Sequence, residues 1–139
     1  MIARGDLIVV AARSFLGVPW RHLGRSRGGV DCIGLVLLSL REVGVQIDDP
    51  APYQREPQGT RLLDGIRAHA AQVARERPGD ILLFRMGVYG AHVGIASVHP
   101  SWRVPAVVHA YAPHRCVVEQ PMDGAARTAL VGAFRLREV

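Results

Sequence analysis

The chain has 139 residues, 49% of them hydrophobic and 21% charged, with 15 Gly and nine Pro. That length suits one domain burying roughly two-thirds of the surface its unfolded chain exposes, which excludes disorder and a two-domain arrangement. The longest apolar stretch, Ile33 to Leu40, is interrupted by Gly34 and Ser39 and falls well short of the ~20 residues of a membrane span.

The opening residues, Met1-Ile2-Ala3-Arg4-Gly5-Asp6, place an acid early and merge into an amphipathic pattern, so no secretory signal peptide is expected. Basic residues outnumber acidic ones by 17 to 12, for a net charge of +5, and all the basic ones are arginine. GC-rich coding and the bidentate anion contacts of arginine both account for that. The arginines are dispersed and aromatics make up only 6%, so no nucleic-acid partner is expected. Cys32 and Cys116 are too few for a disulfide scaffold and lack the paired spacing of a zinc site. The spacing of His92, His99, His109 and His114 fits no simple metal motif either. Neither a metal nor a cofactor is expected.

In chain order, Asp6 is expected to cap a first helix running to Leu16, with Leu7, Val10, Ala11 and Phe15 inward and Gly17 as its stop. A loop rich in glycine and arginine follows to Val30. The second helix starts at Asp31 or Cys32 and ends at Gly44, and its apolar residues surround it, so it should be central. Residues 48 to 59 hold Pro50, Pro52, Pro57 and Gly59 and read as an ordered loop. Thr60 is placed to cap a third helix to Arg77, with Leu62, Leu63, Ile66, Ala70 and Val73 inward, and Pro78-Gly79-Asp80 makes a turn.

The period then changes. Ile81 to Phe84, Ala91 to Val98, Ala106 to Tyr111, Cys116 to Glu119 and Ala129 to Leu136 read as five strands, with Met86 to Gly90 as a turn. Helices first and strands second argue an α+β fold, about three helices packed on a mainly antiparallel sheet.

The chemistry centres on Asp31-Cys32-Ile33-Gly34-Leu35. A cysteine in the first turn of a helix faces unpaired N–H groups and the positive end of the dipole, which favour the thiolate. Gly34 removes bulk from the next turn, giving a substrate backbone room to approach. Most free cysteines are instead small buried hydrophobes. The histidines shift the balance. His92 opens one strand and His109 lies in the next, so an antiparallel sheet sets them side by side, and a helix start packed there brings Cys32 near. That arrangement is nucleophile, base and orienting group.

The segment Gly17 to Val36 (Gly-Val-Pro-Trp-Arg-His-Leu-Gly-Arg-Ser-Arg-Gly-Gly-Val-Asp-Cys-Ile-Gly-Leu-Val) resembles the nucleophile region of the NlpC-type papain-like cysteine peptidases of the bacterial cell wall. Arg77 to Phe84 resembles their turn-and-strand segment, His92-Val93-Gly94-Ile95 their histidine segment, and Val108-His109-Ala110 the strand of their third polar residue. The likeness runs over residues 7 to 136, so residues 1–139 read as a single domain of this kind.

The resemblance implies a catalytic triad of Cys32, His92 and His109, and hydrolysis of peptidoglycan stem peptides, typically at the γ-D-glutamyl to diaminopimelate bond. It implies the Cys32 N–H as oxyanion donor. Where the family usually carries a tyrosine, this sequence has Trp20, which donates to an oxyanion or only lines the cleft. Trp20, Asp31 and Arg21 form the expected substrate and oxyanion set, although capping of the helix is the simpler role for Asp31. His22, Arg25 and Arg27 join Arg21 either as a wall attracting stem carboxylates or as a solvated loop. Asp80 is expected to make local turn hydrogen bonds, and Cys116 to be structural.

The Arg21-His22-Leu23-Gly24-Arg25 variant resembles the phage-tail and gene-transfer-particle branch. It implies a virion component made in the bacterial cytoplasm, carried by tail-tip or hub proteins and acting in the periplasm and cell wall. The alternatives are a structural module of the tail tip, and an amidase or acyl transferase acting on small substrates.

Overall fold

The computed structural model describes residues 2–54, 60–87 and 90–138. Helix α1 (Arg4–Arg13) leads to a small hairpin, β1 (Arg25–Ser26) and β2 (Gly29–Val30), then α2 (Cys32–Arg41) and α3 (Arg61–His69). Strands β3 (Ala70–Val73), β4 (Ile81–Met86), β5 (Gly90–Val98), β6 (Pro105–Tyr111) and β7 (Cys116–Pro121) follow, and α4 (Gly124–Ala129) precedes β8 (Leu130–Leu136). The sheet has the order β3-β8-β4-β5-β6-β7, with every pairing antiparallel. This is the expected α+β architecture of helices packed on an antiparallel sheet.

Helix α2 lies at the centre because it is apolar all round. Eight of its residues are buried, including Ile33, Leu35 and Leu40. Its one buried hydroxyl, Ser39 Oγ, donates to Leu35 O at 2.7 Å, so no polar atom is stranded. The main core joins α1, α2 and α3 to one face of the sheet through Val93, Ile95 and Val108. A smaller cluster, Leu82, Phe84, Ala96, Val107 and Ala133, lies on the other face, with Ala126 and Ala129 of α4 against it. Covered on both faces, Ile81 to Phe84 is the continuous apolar run of a central strand.

Several elements depart from the sequence reading. Helix α1 starts earlier, with Ala3 as its N-cap and no side-chain cap, so Asp6 sits in the first turn instead of capping. Its inward face is turned by one position: Ile8, Val9, Ala11 and Ala12 are buried, whereas Leu7 and Val10 are exposed. Thr60 precedes α3 without a side-chain cap.

That helix ends at His69 rather than Arg77, because Ala70 to Val73 pair with β8 as a sixth strand, from Ala70↔Leu136 to Val73↔Ala133. Backbone pairing along an open sheet edge outweighs a weak local helix preference. The short helix α4 and the β1–β2 hairpin are also additions. Of the expected loop 48–59 and turn Met86–Gly90, residues 55–59 and 88–89 lie outside the described residues.

Two buried carboxylates fasten the sheet. Asp80 accepts from the Arg77 N–H in its own turn, as expected, and also binds Arg135 of β8 through both oxygens, at 2.9 and 2.8 Å. Glu119 of β7 accepts from Arg13 of α1 and from Ser97 Oγ of β5, tying helix and strands together.

Candidate active site

Asp31 organises the start of α2. Its Oδ1 accepts from the Gly34 N–H at 2.8 Å, the N-cap bond, and from Arg25 Nη1 at 2.9 Å. Its Oδ2 accepts from the Leu23 N–H at 3.0 Å and from the Tyr53 hydroxyl. With four donors on a side chain only 4% exposed, Asp31 caps the helix and clamps loop 21–30 to it. Arg25 bridges onward to Asp49 and Tyr53. Burial alone would lower the Arg25 pKa, but its hydrogen bonds to Asp49 and Tyr53 and the Asp31 charge outweigh burial and raise it. Burial and the bond to Asp31 push the Tyr53 pKa up, so its hydroxyl stays a donor.

Gly34 serves this clamp. A Cβ there would lie 2.2 Å from Gly24 O and 2.9 Å from Arg25 Nη1. The backbone that comes close at Gly34 is therefore the chain's own loop, where the sequence reading expected a substrate.

Cys32 follows as the first residue of α2, and its thiol rests against the backbone of Val93, the neighbour of His92. Hydrogen bonding from the backbone of Val93, Ile33 and Cys32 itself favours the thiolate, as the helix-start argument anticipates. Burial is larger and opposite in sign, and the Asp31 charge adds to it, so the thiol pKa is pushed up to about 12. The resting sulfur therefore keeps its proton, contrary to the expectation of a stabilised thiolate. Cys116 is a second free cysteine, half-buried beside Pro19, with which it forms a bridge.

His92 and His109 meet as the alternation of β5 and β6 requires. His92 Nε2 lies 2.7 Å from His109 Nδ1, and His109 Nε2 lies 2.7 Å from Gln120 Oε1 of β7. Both histidines are buried, at 7% and 6% exposure. Burial first, and His109 second, press the His92 pKa down to about 3; burial also lowers that of His109, against the pull of its Gln120 bond. Tyr111 stacks on His109 with ring centroids 4.8 Å apart.

The gap for this pair is made by Gly94. A Cβ there would sit 2.4 Å from Val107 Cγ2 and 3.0 Å from His109 Cβ. The pair lines a cleft of about 510 Å³, between the sheet and α4, with Phe84, Arg85, Tyr111, His114, Gln120 and Asp123 among its walls.

The other expected substrate contacts stand apart from the histidine cleft. Trp20 is half-buried against the main core, its backbone N–H donating to Arg115 O and its backbone bridged to Val30. Arg21 is exposed, with its backbone N–H on Val30 O. Arg27 lies over the Phe15 ring and donates to Ser14 O, so it braces α1. Sequence reasoning missed Tyr53, Asp49 and Gln120. Tyr53 and Asp49 lie in a proline-rich loop far along the chain from Asp31, with no local signal. Gln120 stands opposite Val107, which only the register of β6 on β7 reveals.

A cysteine opening the central helix of an antiparallel α+β domain, with a buried histidine pair on two neighbouring strands, defines the class of the fold. The sequence pattern of the NlpC/P60 family matches residues 17–124, and the chain belongs to that family. A curated relative called "Probable endopeptidase NlpC", from Escherichia coli (strain K12), is 31% identical over 87 residues, which is 60% of this chain and 49% of the relative. The chain thus spans about half the length of that relative.

Among solved structures, the NlpC/p60 domain of the peptidoglycan hydrolase SagA matches with a TM-score of 0.63 at 20% identity, covering 96% of this chain and 100% of that one. A NlpC/P60 family protein from Bacillus cereus ATCC 10987 gives 0.70 at 21% identity, over 98% and 41% of the two chains. An N-acetylmuramoyl-L-alanine amidase from Bacteroides uniformis ATCC 8492 gives 0.66 at 13% identity, over 96% and 99%. At such identities the likeness is one of fold.

Proposed function

We propose that the chain is a cysteine peptidase of peptidoglycan, with Cys32 as nucleophile, His92 as general base and acid, and His109 orienting His92. The observation that carries this reading is the His92–His109 pair at 2.7 Å, flanking the same Val93 backbone against which the Cys32 thiol rests. Membership of the family supports it, as do the endopeptidase name of the curated relative and the hydrolase name of the SagA domain.

In this mechanism the Cys32 proton passes to His92 as sulfur bonds to the scissile carbonyl carbon. The carbonyl oxygen becomes an oxyanion facing the Cys32 N–H. Collapse expels the amine, which leaves with the His92 proton, and a thioester remains. Water then loses a proton to His92 and adds to the acyl carbon, and collapse frees the carboxyl product and returns the proton to sulfur.

The substrate we propose is the stem peptide, cut at the γ-D-glutamyl to diaminopimelate bond. The loop Arg21 to Arg25 favours a phage-tail or gene-transfer-particle component, held by tail-tip or hub proteins and opening the wall from the periplasm. The fold likeness to the Bacteroides amidase supports a second reading, cleavage of an amide outside the stem. Mass spectrometry of purified muropeptides, incubated with the wild-type chain and with Cys32→Ala, separates these. Stem fragments from wild type alone support the endopeptidase, and their masses name the bond. Cleavage by both proteins removes Cys32 from the mechanism, and an intact stem with wild type rejects the endopeptidase.

A further inference from the structure

We infer that Gln120 is a positioning residue of this site, whose amide direction sets the tautomers of His109 and His92 so that Nδ1 of His92 is the bare nitrogen that takes the thiol proton. The inference rests on the hydrolase reading above and extends it by one residue on strand β7.

Gln120 Oε1 is an acceptor only, so at 2.7 Å it requires a proton on His109 Nε2. A neutral imidazole carries one ring proton, so His109 Nδ1 is bare and accepts. It then draws the proton of His92 onto Nε2, 2.7 Å away, and leaves His92 Nδ1 bare. Burial keeps both rings neutral, which makes the chain of bonds directional.

Turning the amide over reverses every step. With its NH2 group on His109 Nε2, His109 would carry its proton on Nδ1 and donate to His92 Nε2. His92 Nδ1 would then be protonated and unable to receive a proton from sulfur. The amide nitrogen of Gln120 faces His114 Nε2 at 3.2 Å, and with that ring nitrogen bare it accepts from the NH2 group and keeps the carbonyl toward His109. Backbone pairing Val107↔Gln120 fixes the side chain on the face of β7 that borders the cleft.

The test is ring nitrogen NMR on the whole chain labelled with 15N-histidine at neutral pH, for wild type, Gln120→Glu and Gln120→Met. The expected wild-type spectrum has protonated Nε2 and bare Nδ1 on both His92 and His109. Gln120→Glu, an obligate acceptor, preserves that pattern and moves the acid limb of the activity profile to higher pH, because its charge favours protonated His109. Gln120→Met, of similar volume but with only a weakly accepting thioether, gives mixed tautomers.

With muropeptides, kcat of Gln120→Met falls about 10–100-fold at unchanged KM, the scale for partners that orient a functional histidine. A wild-type His92 protonated on Nδ1, or wild-type tautomers retained in Gln120→Met, overturns the inference. Failure of the hydrolase reading appears separately, as a stem left intact by wild type or still cut by Cys32→Ala, and leaves the ring spectra as the deciding readout.

Discussion

The buried neutral His92 should make the fold sensitive to acid in a window of its own. Its pKa is held at about 3 by burial and by His109, against roughly 6.5 in an unfolded chain. Between those values the unfolded state binds a proton that the folded state refuses, so stability is complete above the unfolded value and is lost as pH falls toward the folded one. From about pH 7 to pH 5 the loss from this one residue is about 2 kcal/mol. Any folded-state pKa below about 4 gives nearly the same result.

Urea unfolding of wild type and His92→Gln across that range measures it. His109 has its pKa lowered first by burial, and its burial and Gln120 bond are present in both proteins, with the glutamine amide of the variant still able to meet its Nδ1. Glu119, Glu76 and Asp49 have depressed pKa values, so their contributions are present above the ordinary carboxylate range and are lost only at still lower pH. The wild-type midpoint should therefore fall by roughly 1 M urea more than that of the variant. Parallel curves would refute the reasoning, because His92 would then titrate alike in both states.

Asp31→Ala removes the cap of α2 and the buried partner of Arg25 together. We expect a loss of about 3 kcal/mol and a Tm lower by roughly 10 °C in calorimetry, with a smaller loss for Asp31→Asn, which keeps an acceptor for Gly34. Gly94→Ala brings a methyl group within 2.4 Å of Val107 Cγ2 and 3.0 Å of His109 Cβ. It should cost about 1–3 kcal/mol in urea unfolding and reduce muropeptide cleavage beyond what Val107→Ala restores in stability alone. Without substrate, Cys32 should react slowly with iodoacetamide near neutral pH and faster toward the alkaline value of about 12; a fast reaction at neutral pH would refute the protonated resting thiol.

What the sequence made legible was whatever a short window contains. An apolar run on every side of residues 33–40 marks a central helix, Asp31 marks its cap, and the apolar neighbours of His92 and His109 mark strands that bring them together. What stayed hidden depends on contacts between distant segments. Ala70 to Val73 become a strand only because β8 offers an unpaired edge. Leu7 and Val10 have helical spacing like the residues beside them, and only the packing of α1 on α2 decides which face is covered. Gly34 is small for the sake of Gly24 and Arg25, on a loop whose course local pattern does not predict. Tyr53 and Gln120 reach the site from segments without any local mark of chemistry.

The same burial that conceals these contacts explains the electrostatic state of the site. A helix start favours a thiolate, yet burial outweighs it here, raising the Cys32 pKa and lowering that of His92. A preformed ion pair would have to be sheltered from water without a third charge to compensate it, which is costly. A neutral pair avoids that cost while the site is empty. In the proposed mechanism charge develops only as sulfur attacks the carbonyl and the oxyanion forms, facing the Cys32 N–H at the start of α2. The clamp of Asp31 on loop 21–30 and the hydrogen-bonded run from His92 to Gln120 serve that end alike. Each fixes a donor or an acceptor before substrate arrives, so less reorganisation is left for the reaction itself.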